Sequence, residues 1–373
     1  MAPAKNMGDL YIGLISGTSM DGIDAALVEF GESSLQILQT RDYAYPQELR
    51  DRLINAMQLP EKCTVDDIGE LDRHTGECFR DAAKALLNDA GVAASAVTAI
   101  GSHGQTLRHQ PDAKRPFTLQ IGDPTLIATG TGITTIADFR RADLAVGGQG
   151  APLTPIFHEW LFRQSGSVRT ILNIGGIANI TILADDRATT GFDTGPGNTL
   201  MDAWTRKHRD ETFDRNGEWA ASGSVDTALL KRLLSDPYFS TAPPKSTGFE
   251  QFNLEWLETA GVESIDAADV QATLCALTAA SVSNAIMAYA AGTAEILVCG
   301  GGVHNSELMR QLGASMPGVG LSSTATAGLD PDWVEAAAFA WLAMRRLQNL
   351  PGNLPAVTGA QRAVTLGSIH TAG

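Results

Sequence analysis

Between Gly13 and Asp24 the chain reads GLISGTSMDGID: an apolar run breaks into glycine, hydroxyls and two acids, and a second apolar run, AALVEF, follows. A glycine in a tight turn lets backbone N–H groups converge on an anion, and neighbouring hydroxyls add donors. Such a turn suits a phosphate. Asp21 and Asp24 would repel a bare phosphate unless a magnesium ion sat between them, since Mg2+ accepts carboxylates while keeping several of its waters. Two further glycine sites, GG at 175–176 and GGG at 300–302, each follow an apolar strand pattern, the position where α/β sheets leave a crevice for ligands. Neither G-x-x-x-x-G-K-[ST] nor G-x-G-x-x-G occurs, so a nucleotide site in this chain has another design.

Four other stretches carry groups able to do chemistry. Asp193, in GFDTGPGN, stands at the end of an apolar strand pattern. There it is either a carboxylate aimed at a proton or the N-cap of a helix starting near Pro196 or Gly197. Glu335 is the only charge in WVEAAAFAWLAM, a helix apolar on every face and therefore buried. A buried carboxylate must meet a cation, a donor or a polar ligand, although its place in the first turn also offers the helix dipole. Arg140 and Arg141 precede GGQG and carry the planar fork that suits a carboxylate or a polarised oxygen, or else lie in a solvated turn. His103 and Gln105, in GSHGQT, fall at a strand end, with a core histidine bonded to backbone as the alternative.

The elements that must position these groups repeat. The first third reads as strand (Leu10 to Ser16), turn, strand (Asp24 to Phe30) and a third strand, SLQILQT, after Gly31 and Glu32: an antiparallel meander. Helical patterns follow at 46–57 and 65–88, then the apolar runs AVTAIGSHG and PFTLQIGDP. RTILNIGGIANITIL repeats the opening plan, with Asn179 close to its turn, and GFDTGPGN leads into another helix. A long helix over 267–291, with Asp266 as N-cap and Gly292 at its end, precedes strand AEILVCGGG and a last helix from Pro331. Two strand–glycine–strand hairpins heading two halves indicate an internal duplication.

At 373 residues and 44% apolar composition the chain is long enough for two domains, each with a sizeable core. Its net charge of −15 is spread along the sequence, which argues against a nucleic-acid surface. The first residues lack the apolar core of a signal peptide, and no stretch of about 18 uninterrupted apolar residues offers a membrane span, so a cytoplasmic location is expected. The four cysteines, Cys63, Cys78, Cys275 and Cys299, are too scattered for a CxxC zinc site and too few for a disulfide framework.

Two phosphate hairpins heading duplicated halves, with a glycine run before a helix, resemble the actin and hexokinase superfamily. In finer detail GLISGTSMDGID, IGSHGQT, ADFRRADLAVGGQGAPL, LNIGGIANI, GFDTGPGN, PKSTG, LVCGGG and LPGN resemble the anhydro-N-acetylmuramic acid kinase family over essentially the full chain. The resemblance implies an α/β fold of two related actin/hexokinase-like (ribonuclease H-like) lobes with a cleft between them. The first lobe would span 1–142 with the first hairpin; the second would span 143–373 with the second hairpin and the adenosine-side glycines, its last residues crossing back. It implies ATP and Mg2+ as cofactors, an amino sugar as substrate and a homodimer, with no nucleic acid or membrane partner.

On this resemblance Asp193 is the catalytic base. Ser16, which stands where many members of the broad superfamily carry an aspartate, joins Gln105, Arg140, Arg141 and Glu335 as a candidate sugar contact. Which arginine meets the sugar is open. The candidate nucleotide contacts are Gly17, Thr18, Ser19, Met20, Asp21, Gly22, Ile23 and Asp24 at the first turn. Gly175, Gly176, Asn179, Gly195 and Asn198 join them at the second turn, and Gly300, Gly301 and Gly302 at the third. No residue is assigned to the metal. The implied reaction opens 1,6-anhydro-N-acetylmuramic acid with water and phosphorylates O6, giving N-acetylmuramic acid 6-phosphate in peptidoglycan recycling. The alternatives are a kinase of another anhydro sugar, such as levoglucosan, and a non-catalytic actin-like ATPase. In an anhydro sugar O6 is bonded to C1 and carries no proton, so the base must take its proton from water.

Overall fold

The structure is a computed structural model that describes residues 9–17, 20, 22–31, 34–248 and 250–373. The chain divides into two compact units, Met1–Leu161 with Trp333–Gly373, and Phe162–Asp332. The first runs past residue 142 because Phe157 and Trp160, on the helix that begins at Pro155, stack on Trp341 near the far end of the chain.

In the first unit β1 (Asp9–Ile15), β2 (Gly22–Phe30) and β3 (Leu35–Ala44) form the expected antiparallel meander, the third strand running longer than its apolar core suggests. β1 and β2 are buried on both faces, which is why they read as continuous apolar runs rather than alternating ones. β4 (Val97–Ser102) lies parallel to β1 on its other side. The stretch PFTLQIGDP does not join this sheet: β5 (Gln105–Gln110) and β6 (Phe117–Ile121) pair with each other as a separate ribbon. β7 (Thr135–Ala137) follows parallel to β4, and the Ser368–His370 strand closes the edge, giving the order β3-β2-β1-β4-β7 and then that strand.

The second unit repeats the plan. β8 (Val168–Ile174), β9 (Ile177–Leu183) and β10 (Thr190–Pro196) form the meander, and β11 (Thr293–Cys299) and β12 (Gly320–Ser323) add in parallel, in the order β10-β9-β8-β11-β12. Taken from its own meander outward, each sheet has the order third, second, first, fourth, fifth, so the duplication expected from the sequence is present in the topology.

Each repeat carries a long helix between its third and fourth strands. The Val65–Ala90 helix is amphipathic and opens with a capping box between Thr64 and Asp67. Its counterpart, Ala267–Tyr289, has the expected Asp266 cap on the Ala268 N–H but ends at Tyr289, short of Gly292. That helix is long and apolar enough to cross a membrane; here it is mostly buried in the core of the second unit.

The last helix begins at Val334, after a 3-10 turn over Pro331–Trp333. It lies backbone to backbone on the first sheet: a Cβ at Gly13 of β1 would run into the Ala336 carbonyl, and one at Gly101 of β4 into that of Phe339. This close approach, which only glycine permits, brings Glu335 to the ends of β1 and β4.

Candidate active site

In the first unit the glycine turn is braced from beneath. The Ser16 hydroxyl lies 2.7 Å from Gln105 Oε1 and 2.7 Å from the Gly22 carbonyl, and its single proton serves one of them at a time. The Gln105 amide donates to the carbonyls of Thr106 at 3.3 Å and Gly17 at 3.4 Å. Both side chains are essentially inaccessible, so they hold the turn in place. Met20 closes the turn by donating its N–H to the Gly17 carbonyl, and its φ of 51° keeps it left-handed. Gly22, Ile23 and Asp24 belong to β2, and the Ile23 side chain is fully buried, so Ile23 can offer a ligand only backbone. Thr18, Ser19 and Asp21 lie outside the described residues.

The two adjacent arginines separate. Arg141 is exposed and faces Asp138 at 3.5 Å. Arg140 directs Nε and Nη2 to His103 Nε2, at 3.1 and 2.9 Å, and donates Nη1 to the Gly150 carbonyl at 2.8 Å. His103 Nδ1 meets the Gly104 carbonyl at 2.9 Å, so the proton sits on Nδ1 and Nε2 accepts. Burial and the Arg140 charge hold this histidine well below its usual pKa of 6.5, in the neutral form that such acceptance requires.

Glu335 faces the same arginine. Burial raises its pKa and Arg140 opposes the rise. The expected burial is partial, since Glu335 keeps some exposure, and the charge acting on it is that of Arg140.

Behind Arg140 stands a fully buried carboxylate that the sequence did not single out. Asp143 accepts from the Gly150 N–H at 2.7 Å, Asn353 Nδ2 at 2.6 Å and Thr358 Oγ1 at 2.7 Å. It ties the GGQG loop to the LPGN segment, and Gly150 in turn receives Arg140.

In the second unit the turn between β8 and β9 is stitched to the start of the next helix. The N–H groups of Gly197 and Asn198 donate to the carbonyls of Gly176 and Gly175, both at 2.9 Å, and Thr199 N–H reaches Gly176 at 3.1 Å. At Gly175 and Gly301 an added Cβ would meet almost nothing, so both turns keep open backbone where a phosphate or ribose could approach. Gly300, at φ 77°, and Gly302 instead pack tightly against Ile174. Asn179 Oδ1 is buried and has no hydrogen-bond partner among the described residues.

Asp193 is not a cap. β10 runs on to Pro196 and the helix starts at Thr199, with Asn198 at the cap position. Asp193 instead lies directly opposite Asn179 in the β9–β10 ladder, just before the bulge at Gly195. Its Oδ2 accepts the Thr247 N–H at 3.0 Å, its N–H donates to the Lys245 carbonyl at 3.2 Å, and its carbonyl accepts the Tyr238 hydroxyl at 2.7 Å. Tyr238 and Lys245 went unassigned in the sequence. The available signal was Lys245 standing as the only charge in STAPPKSTG.

A twice-used sheet, each copy heading its meander with a glycine turn, and a carboxylate held in mid-strand beside one of them, fit an enzyme that handles an anionic ligand next to a base. The model of the family described as anhydro-N-acetylmuramic acid kinase matches residues 9–372. A protein of that name from Xanthomonas campestris pv. campestris is 50% identical over 375 residues, covering 100% of both chains. One from Vibrio cholerae is 50% identical over 364 residues, covering 97% of this chain and 98% of its own. Among solved structures, a ROK family glucokinase from Streptomyces griseus in complex with glucose and AMPPNP matches at 14% identity and a TM-score of 0.39, over 89% of this chain and 99% of that one. The chain belongs to the anhydro-N-acetylmuramic acid kinase family.

Proposed function

We propose that this kinase opens the 1,6-anhydro bridge of N-acetylmuramic acid with water activated by Asp193 and delivers the freed O6 to the γ-phosphorus of ATP. The observation that carries the reading is the setting of Asp193: a carboxylate in mid-strand, one oxygen aimed by a backbone N–H, beside a glycine turn and not committed to a helix. Asp193 takes a proton from water as the water oxygen bonds to C1. The C1–O6 bond breaks, O6 bonds to the γ-phosphorus, and ADP departs. General-base help of this kind contributes on the order of 10²–10⁴ in rate.

In the first unit Arg140, aimed by His103 and Gly150, and Glu335 beside it serve the polar groups of the sugar. In the second unit the open backbone at Gly175 and Gly301 serves the nucleotide, whose developing phosphoryl charge is met by fixed N–H donors. Magnesium bound with ATP would neutralise phosphate charge. The unpartnered Asn179 Oδ1 fits an acceptor for its bound water, and among the described residues no cluster of three His, Cys, Asp or Glu side chains offers a protein-built cage. Four free thiols support a reducing, cytoplasmic setting, and a homodimer is the assembly the family resemblance implies.

The test is the reaction in ¹⁸O-water with ATP and the anhydro sugar. The label is expected on the anomeric oxygen of the product and absent from the transferred phosphoryl group. The first-formed anomer is expected to be α, opposite the β face of the bridge. Early sampling with unlabelled product as exchange control separates this from later ring opening. Label on phosphate, or a first-formed β anomer, overturns the reading.

A further inference from the structure

The second unit contains a buried lysine that the proposed chemistry does not use. Lys245 is 8% exposed, and its Nζ donates to the Tyr238 carbonyl at 2.9 Å while standing 4.4 Å from the centre of the Tyr238 ring and 6.0 Å from that of Phe192. Carbonyl and ring faces are partial compensation for a desolvated ammonium, which needs an opposite charge to remain ionised. The carboxylate acting on it is that of Asp193, which counters the downward pull of burial on the lysine. Such coupling is mutual: the charge that favours the ammonium is itself favoured by it.

The same segment grips the backbone of Asp193 on both sides. The Lys245 carbonyl takes its N–H, the Tyr238 hydroxyl caps its carbonyl, and Thr247, whose own hydroxyl is fixed on Gln251 Oε1 at 2.9 Å, supplies the N–H on its carboxylate. We propose that Lys245 is the positioning residue of the general base: its carbonyl, with the Tyr238 hydroxyl, fixes the peptide that aims the carboxylate, and its buried ammonium, held on the Tyr238 carbonyl, lends that carboxylate a counter-charge. This inference rests on the reading of Asp193 as the base.

Among the groups facing Asp193 are Tyr238 from the Pro237–Ser240 helix, Lys245 and the Thr247 N–H from the loop after it, and Asn179 from β9. Asn179 does not titrate. Tyr238 is held as a neutral hydroxyl by burial and by the Asp193 charge.

The experiment compares pH profiles of Lys245→Met, Lys245→Arg, Tyr238→Phe and Asp193→Asn in the full chain. Lys245→Met is expected to lower kcat roughly tenfold on the acid limb, with KM for sugar and ATP within about threefold. Its acid limb is expected to move up by about one pH unit or more. Lys245→Arg is expected to return the limb to within about 0.3 unit, because it keeps the charge. A Lys245→Met enzyme with an unmoved limb and normal kcat overturns the inference, as does one that merely melts lower with its profile intact.

Should Lys245→Met not fold, Tyr238→Phe keeps the ring and removes only the bond to the Asp193 carbonyl. A roughly tenfold loss of kcat at constant KM is then expected, and an unchanged kcat overturns the clamp. Asp193→Asn separates the two layers. If it stays active, the base reading itself falls; if it is dead while Lys245→Met is normal, only the role of Lys245 falls.

Discussion

Arg140 aims two guanidinium nitrogens, Nε at 3.1 Å and Nη2 at 2.9 Å, at a single acceptor, Nε2 of His103. A protonated imidazole could not accept them, so the neutral state of His103 and the aim of Arg140 are one arrangement. The ring is wedged against Phe339 of the last helix, at 4.7 Å between centroids, which leaves it little room to turn.

His103→Phe keeps that packing and removes the acceptor. It is expected to raise KM for the sugar roughly tenfold while KM for ATP stays within about threefold, as loss of a hydrogen bond to a charged group implies. Steady-state kinetics with each substrate varied checks this, and an unchanged sugar KM would take Arg140 out of the sugar site.

Glu335→Ala is expected to weaken sugar binding roughly tenfold or more and ATP binding much less. Stability tests the same residue independently. Because its folded pKa is raised above the ordinary 4.5, its ionisation opposes the folded state as pH rises through the folded value. Glu335→Gln should therefore raise Tm at pH 7 to 8, by roughly 2 °C or more, and lose that advantage near pH 4. Unchanged kinetics together with a raised Tm would mark a structural acid whose burial is only a cost.

Asp193→Asn keeps shape and most hydrogen bonding while removing basicity. Turnover is expected to fall at least 10²-fold or so with nucleotide affinity nearly intact, read by single-turnover kinetics and calorimetry. Residual activity within about tenfold of wild type would mean that another group accepts the proton.

Two buried histidines, His103 and His158, and the half-buried His109 contribute to the acid sensitivity expected of the first unit. Burial holds His103 well below 6.5, His109 at about 4 and His158 at about 3. The unfolded chain binds protons on these rings below about 6.5 while the folded chain does not, so stability is present above that pH and is lost as pH falls toward the folded values. His109→Gln should flatten the fall between pH 6.5 and 4 by about one proton, or roughly 1.4 kcal/mol per pH unit, in denaturant melts. An unaltered slope would assign the acid loss to other groups.

Much of the site was legible because some side chains are anomalous where they stand. Glu335 is a charge on a helix with no polar face, and burial of that helix follows from composition alone. The hairpins at Gly17 and Gly175 were legible because strands buried on both faces read as apolar runs, and glycine between them marks the reversal. Asp266 was readable as a cap because it precedes an apolar run that must be helix.

The sequence by itself thus determined the duplicated α/β plan, the glycine turns and the candidate acids, since each follows from local periodicity and from what one residue type costs when buried. Only the tertiary structure separated Arg140 from Arg141. The two are identical in chemistry and adjacent in sequence, and what distinguishes them is that His103 and Gly150 lie on one side of the turn and Asp138 on the other. It also decided that Asp193 is not a helix cap, because where β10 ends depends on its ladder with β9. The grip of Tyr238, Lys245 and Thr247 on Asp193 joins residues about fifty positions apart, as does that of Asp143 on Asn353 across a far larger separation. Periodicity records which face of an element is buried; it carries no record of which distant loop will cover that face, because that choice is made when the sheet assembles.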